Sequence, residues 1–184
     1  MIDSVKHYFI DISNQYENKS GYNYWDNHVK YVTQIAGDLA KEVGADLEIV
    51  EISAILHDVA KVLELRENES HNLVGVEVAE NLLLKEGYDP QKIEKVKKCI
   101  LYHSGDLDKS IKLSKEEWCV RNADIISMFH NITIFFFLAI HEYQLSYNEC
   151  RVCVKEMIQN KYHHLDTKLK KQYDDVFQII FEAI

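Results

Sequence analysis

Proline and glycine are scarce, one and six among 184 residues. Folds built from strands and tight turns use more of both, so the shortage favours a helical chain. Cysteine is sparse too. Cys99, Cys119, Cys150 and Cys153 show no regular disulfide framework, which points to a reducing, cytoplasmic setting. Cys150-x-x-Cys153 lacks the second half of a zinc set and reads as core packing on one helix face. A basic excess is also missing. The formal net charge is −9, which disfavours long nucleic acid as the main partner, because a phosphate backbone selects basic patches. A small phosphorylated ligand stays open, since a bound cation reverses the field locally. Long apolar runs are absent as well. Ile132 to Ile140, with Phe135, Phe136 and Phe137, is about half the ~20 residues that span a bilayer. It reads as a buried helix, and no membrane partner is expected. The opening MIDSVKHYFIDISNQYENK is polar, so a signal peptide is not expected there.

The chain does have apolar mass. Hydrophobic residues make up 47% and charged residues 28%, an ordinary balance with enough material for a core. The length suits a single domain spanning 1–184, with residues 131–184 as further helices packed on it. Apolar residues recur at helical spacing almost throughout. The pattern predicts helices over Ser4 to Tyr16, Trp25 to Val43, Leu47 to about Leu63, and His71 to Lys85. Further helices are predicted from Pro90 to Tyr102, from Ser114 through Ile126, and over Ile132 to Tyr143, Tyr147 to Asn160 and Thr167 to Ala183. Polar links join them at Glu64 to Ser70 and Ser104 to Leu113. Local signals fix the ends. Gly44 is placed to stop one helix. Asp46 can cap the next, and Asp89-Pro90 is a cap followed by proline at the first helical position. Ser114-x-x-Glu117 and Ser146-x-x-Glu149 are capping boxes. The Leu47–Leu63 stretch is nearly all apolar and should lie at the centre of a bundle. Gly75 and Ala79, four apart, would admit a close neighbour. No convincing strand is present, and the expected fold class is all-α.

Nine histidines are available, and their placement matters more than their number. His28 lies near the start of the second helix, and His57-Asp58 in the last turns of the third. His71 opens the fourth helix, His103 closes the fifth, and Asp124 lies within the sixth. Five successive helices each deliver an imidazole, a carboxylate or both. Neutral imidazole and carboxylate are good ligands for Mn²⁺, Fe²⁺, Co²⁺, Ni²⁺ or Zn²⁺, and the lack of thiolate argues against a closed structural zinc site. Two His and two Asp leave open positions for water on such an ion, where its pKa falls and it becomes a nucleophile. Helical neighbours point about 100° apart, so His57 and Asp58 can share an ion lying between their two directions. Asp58, with two oxygens, could bridge to a second ion. The His-Asp doublet alone is a weak signal. Context strengthens it, since Asp124 sits on an apolar helix where an unpaired carboxylate is costly.

These residues also resemble a known family. His28 with Val29-Lys30-Tyr31-Val32, Ala54-Ile55-Leu56-His57-Asp58-Val59-Ala60-Lys61, His71 with Gly75 and Ala79, Ile100-Leu101-Tyr102-His103, and Asn122-Ala123-Asp124 look like the HD-domain metal-dependent phosphohydrolase superfamily. The likeness covers about residues 24–130, in order, spacing and helix context together. It implies an HD-domain helical bundle whose metal ligands are His28, His57, Asp58 and Asp124. The positions of His71 and His103 match the extra histidines of binuclear members. The Gly-Tyr-Pro signature of the cyclic-di-GMP branch is absent, so that substrate is not implied. The residues following Asp124 resemble small HD proteins.

The expected function is hydrolysis of a small phosphorylated compound, with a nucleotide as the foremost class, by attack of metal-bound water. One or two divalent ions (Mn, Fe, Co, Ni, Zn or Mg) are the expected cofactor. The catalytic candidates are Asp58, whose carboxylate can assist the attacking water, and Lys61, which in the resemblance would reach a substrate phosphate and offset developing charge. Arg121 is a further phosphate-binding candidate, although a surface ion pair fits it equally. Bland alternatives stand beside each residue. His71 could serve a helix start, His103 a helix C-terminus, and Lys61 a solvated helix end. Tyr22, Tyr24 and Trp25 could line a pocket mouth or staple the helix that follows, and His163-His164 suits a surface turn. A non-catalytic ligand-binding or signalling module of the same fold is the competing function, and the full ligand set argues against it. The Ile132–Ile140 helix would serve a homodimer as well as a core.

Overall fold

A computed structural model describes residues 1–65, 70–108 and 110–184. Among them the regular elements are all helical. The chain divides into two compact units, Met1–Asp124 and Ile125–Ile184. No helix of the described residues is long and apolar enough to cross a membrane.

The first unit contains α1 (Ile2–Ser20), a π-turn (Trp25–Val29) running directly into α2 (Lys30–Val43), α3 (Leu47–Leu56) and α4 (Val59–Val62). After these come α5 (His71–Lys85), α6 (Pro90–Tyr102) and α7 (Lys115–Ser127), whose last residues, from Ile125, belong to the second unit. The expected caps are in place. Gly44 takes the left-handed conformation at φ 67°, open to glycine without steric cost. Asp46 accepts from the Ile49 amide at 3.3 Å, and Asp89 from the Gln91 amide at 2.7 Å. Ser114 and Glu117 bond reciprocally at 2.9 and 3.2 Å, satisfying two amides that a helix start leaves open.

α3 is the hub. Ile49, Val50, Ile52, Ala54, Ile55 and Leu56 are fully buried, and the helix packs on α1, α2 and α6. A helix apolar on most of its circumference has to be largely enclosed. α5 packs on α6 and α4, and Gly75 sets the approach. A Cβ built there would lie 3.3 Å from Ile100 Cγ2 and 3.7 Å from the His57 carbonyl oxygen. Gly75→Leu is therefore expected to destabilise the protein by about 1–3 kcal/mol, even though glycine gives up roughly 1 kcal/mol of helix propensity. Urea denaturation with an unchanged m-value would register the loss. An equally stable variant would mean that α5 has room to move.

Two expectations need correction. The helix predicted over Leu47–Leu63 is broken at the doublet. α3 ends at Leu56, Asp58 lies at φ −109°, ψ 17°, and α4 restarts at Val59. The apolar run also differs from a simple buried helix. It forms α8 (Thr133–Phe137) followed by a second π-turn, Leu138–Glu142, and Ile140 is more than half exposed. The polar link Glu64–Ser70 falls partly on residues 66–69, outside the described residues.

Tyr22 and Tyr24 are buried, and with Tyr16 they form edge-to-face pairs at 5.2 and 5.4 Å. They pin α1 to the start of the π-turn rather than lining a pocket. In the second unit, α9 (Tyr147–His163) starts with the Ser146–Glu149 capping box and packs against α8 and α10 (Thr167–Ala183). Tyr162 stacks on Phe177 at 3.9 Å. Cys150 is buried and Cys153 half-buried, both as free thiols, and His163 and His164 close α9.

Candidate metal centre

His57 and His103 are held by the same local device. Each follows the last residue of a helix, α3 and α6, where carbonyls lack an intrahelical partner. His57 Nδ1 lies 2.8 Å from the Ala54 carbonyl, and His103 Nδ1 lies 2.7 Å from the Ile100 carbonyl. A carbonyl only accepts, so the proton is on Nδ1 in both rings. Nε2 is left with a lone pair aimed at the centre, and the bonded Nδ1 fixes ring orientation.

The break after Leu56 does the rest. On a continuous helix, Asp58 would diverge from His57 by about 100°. Released from helical geometry, Asp58 turns Oδ2 to within 3.6 Å of His57 Nε2 and 3.7 Å of His28 Nε2. His28 enters from the π-turn, whose wider winding shifts its direction relative to α2. π-turns of this kind recur at functional sites. His28 Nε2 lies 3.1 Å from His57 Nε2 and 3.3 Å from Asp124 Oδ1, and His57 Nε2 is 3.8 Å from the same Asp124 oxygen. A second group shares Asp58. Its Oδ1 lies 3.5 Å from His103 Nε2 and 3.7 Å from His71 Nε2, and these two nitrogens are 3.4 Å apart. Lys61, on α4, brings Nζ to 3.0 Å from Oδ1 and 3.1 Å from Oδ2.

The donor set fits divalent ions. His28, His57, Asp58, Asp124 and His103 are each 5% exposed or less, and unpaired charge at such depth is unfavourable. Asp58 Oδ1 is buried without a hydrogen-bond partner of good geometry. Metal–nitrogen bonds of about 2.0–2.1 Å place neighbouring ligand atoms roughly 3.0–3.4 Å apart on one ion. The observed spacings of 3.1–3.8 Å need only small closure. Asp58 with His28 and His57 could hold one ion, and Asp58 with His71 and His103 another. Asp124 Oδ1 adds a fourth donor beside the first pair of imidazoles.

Burial also fixes the charge states. It pushes the His57 imidazole down to about 3, outweighing the attraction of Asp58 and Asp124, with His103 and His28 opposing a proton further. Burial and then Lys61 push His71 down to about 4. For Asp58, burial alone would raise the carboxyl, but Lys61 and then His57 hold it well below its ordinary value. All three effects have the same sign. As pH falls below about 6.5 the unfolded chain protonates its histidines, while folded His57 and His71 refuse until about 3 and 4. Asp58 likewise takes its proton in the unfolded state first. The metal-free protein should therefore lose stability steadily between pH 6.5 and 3, and change little from these groups above 7. His57 alone sets an upper bound on the order of 5 kcal/mol, at 1.36 kcal/mol per unit. Urea midpoints in chelator from pH 8 to 4 measure it, and a flat profile would refute it.

Beside His71 opens a cavity of about 460 Å³. Behind it lies a hydrogen-bonded unit that sequence reasoning missed. Asn72 donates to the Leu101 carbonyl at 2.9 Å, and Ser104 Oγ donates to Asn72 Oδ1 at 3.1 Å while lying 3.4 Å from His71 Nε2. The polar run Ser70-His71-Asn72 at a helix start was the available signal. Arg121, a candidate for substrate phosphate and equally for a surface ion pair, is engaged by backbone carbonyls. It is buried, and it donates to the carbonyls of Tyr102 at 2.9 Å and Gly105 at 2.6 Å. Those two acceptors occupy the guanidinium with supporting the loop after α6.

An all-α bundle that converges buried imidazoles and carboxylates on open metal-binding groups defines the class of metal-dependent hydrolases with His-Asp doublets. The HD domain family model matches residues 25–128, more than half of the chain, and the chain belongs to that family. Residues of this chain are 34% identical over 100 positions to ribonuclease Y of Treponema pallidum, covering 54% of this chain and 18% of that protein. A tRNA (cytidine(56)-2'-O)-methyltransferase of Thermoplasma volcanium is 33% identical over 78 residues, covering 42% of this chain and 21% of that protein. The chain thus spans about a fifth of these relatives. In fold it is similar to Bacillus subtilis YpgQ, solved in complex with ADP, with a TM-score of 0.69 at 17% identity over 100% of this chain and 93% of that one. A predicted HD superfamily hydrolase from an uncultured Thermotogales bacterium gives a TM-score of 0.55 at 19% identity, over 92% and 91% of the two chains.

Proposed function

We propose that this protein is a metal-dependent phosphohydrolase of small phosphorylated compounds, with nucleotides as the foremost class. The observation carrying the reading is Asp58, whose two oxygens face two imidazole groups while the Lys61 ammonium sits over both. His28, His57, Asp58 and Asp124 would hold one ion, and Asp58, His71 and His103 a second. A divalent ion supplies Lewis acidity there and lowers the pKa of water.

The chain's own residues do the remaining work. The carbonyls of Ala54 and Ile100 keep His57 and His103 in the tautomer that presents Nε2. Burial keeps the His57 imidazole neutral near pH 7. Lys61 places a positive charge where phosphoryl oxygens gain negative charge, and such a preorganised group acts mostly on the transition state. The complex of YpgQ with ADP supports a nucleotide as ligand. The ribonuclease Y relatives make RNA the reading to test against, and the net charge of −9 weighs against it.

The test is reconstitution. Protein stripped with chelator should lose hydrolysis of a panel of phosphomonoesters, nucleoside polyphosphates and cyclic nucleotides. Mn²⁺, Co²⁺, Ni²⁺, Zn²⁺, Fe²⁺ or Mg²⁺ should then restore it. Metal analysis showing no bound ion, with no rescue by any of them, would favour the non-catalytic module. Rescue confined to an oligoribonucleotide would favour the ribonuclease reading.

A further inference from the structure

We propose that Arg121 and Asn72 are positioning residues for metal binding, a clamp on backbone carbonyls that fixes His103 by holding the chain on either side of it. This rests on the reading of Asp58, His71 and His103 as ligands of a second ion.

The need for a clamp follows from where His103 stands. It comes directly after Tyr102, the last residue of α6. The last four carbonyls of a helix have no partner within it, and helix ends fray. A ligand placed there inherits that looseness. Around His103 the carbonyls are instead bonded one after another. His103 Nδ1 donates to Ile100 at 2.7 Å. Asn72 Nδ2 donates to Leu101 at 2.9 Å and to Ser104 at 3.4 Å. Arg121 donates to Tyr102 through Nη1 at 2.9 Å and to Gly105 through Nη2 at 2.6 Å. Three side chains thereby hold five carbonyls between residues 100 and 105.

The donors suit the task. Arg121 and Asn72 are 6% and 8% exposed, and His103 is 1% exposed. At such depth a carbonyl left without its donor is costly. A guanidinium is planar and carries its donors in a fixed fork. Its two bonds therefore set the direction of the chain across His103 as well as its position. The orientation of Asn72 is equally defined. Its Oδ1 accepts from the Ser104 hydroxyl at 3.1 Å, so the nitrogen is the end that meets the carbonyls.

The clamp also joins His103 to the other ligands. Asn72 follows His71 at the start of α5, and Arg121 lies one turn before Asp124 on α7. Held from both sides, His103 keeps Nε2 at 3.4 Å from His71 Nε2 and 3.5 Å from Asp58 Oδ1. Those spacings are close to what ligands of one ion require. Hydrogen-bond partners that orient a metal ligand change affinity by about tenfold to a hundredfold.

The test titrates Co²⁺ into the chelator-stripped full chain by calorimetry, with the visible absorption of the bound ion as a second reading. The wild type should take up two equivalents, and His103→Gln should abolish one of them. Asn72→Leu keeps the volume without the donors. Arg121→Lys keeps the charge but cannot fork across two carbonyls. Each should weaken the His103-dependent equivalent by about tenfold or more and leave the other within about threefold. Asp89→Ala removes the cap at the opposite end of α6 and should change neither equivalent. Circular dichroism identifies a variant that fails to fold, and the other variant then decides. Equal weakening of both equivalents, or an unchanged His103-dependent one, would overturn the proposal. A raised KM in Arg121→Lys with both equivalents intact would overturn it as well, by returning Arg121 to phosphate binding.

If His103→Gln leaves metal uptake unchanged, the second-ion reading fails, and the His103 ring itself decides the clamp. Nitrogen-15 NMR of the metal-free wild type should show one tautomer at His103, with the proton on Nδ1. Mixed tautomers in either variant support the clamp. Mixed tautomers already in the wild type, or the wild-type pattern in both variants, refute it.

Discussion

Asp58→Asn should lower metal-dependent hydrolysis by about 10³-fold or more while leaving the helical content intact. Removing a single transition-state donor from an enzyme site costs roughly 10²–10³-fold. Asp58 should cost more, because its Oδ2 faces His28 and His57 while its Oδ1 faces His71 and His103. The amide keeps the shape but removes the negative charge that both groups share. Neutral imidazoles alone do not offset the charge of divalent ions, so metal content should fall along with activity. Inductively coupled plasma analysis of the purified variant, with steady-state kinetics and circular dichroism, checks all three consequences. Retention of the wild-type metal content, or activity within tenfold of wild type, would show that Asp58 does not link the two groups.

That linking role was only partly legible in the sequence, and the reason is physical. Residue type is local. A carboxylate beside an imidazole on an apolar helix is costly wherever the helix goes, so His57, Asp58 and Asp124 stood out before any fold was known. Helix ends are equally local, and Gly44, Asp46, Asp89 and the Ser114–Glu117 box all do what their spacing implies. The break at the doublet carried no such mark. Neither His57 nor Asp58 is a helix breaker of the proline or glycine kind, and apolar periodicity continues through Val59 and Val62. The turn is fixed by the three-dimensional demand that both side chains face one point. The π-turn at His28 is hidden for the same reason, since its register depends on packing against α1. Arg121 shows the converse case. Its charge suggests solvent or phosphate, yet the carbonyls of Tyr102 and Gly105 occupy it. Which acceptor a guanidinium finds depends on a loop fold that the sequence pattern does not encode.

Lys61→Met should separate metal binding from catalysis by moving them in opposite directions. In the metal-free protein the ammonium lies about 3 Å from both oxygens of Asp58 and is the leading influence that holds its carboxyl low against burial. A positive charge that close repels an incoming divalent ion. Removing it should leave metal affinity unchanged or make it up to about tenfold tighter, since a tenfold change needs only 1.4 kcal/mol. Catalysis should go the other way. With metal bound, Asp58 would be shared with the ions, and the ammonium would be free to turn to the phosphoryl oxygens, where charge builds as the ester bond breaks. Its loss should lower kcat by about 10²–10³-fold with a smaller change in KM, because the interaction is strongest in the transition state. Lys61→Arg keeps the charge but changes its geometry, so it should recover only part of the rate. Metal titration and kinetics on the same preparations give both quantities. Tighter metal binding with an unchanged kcat would reduce Lys61 to the ion-pair partner of Asp58 and leave the phosphoryl group without its side-chain cation.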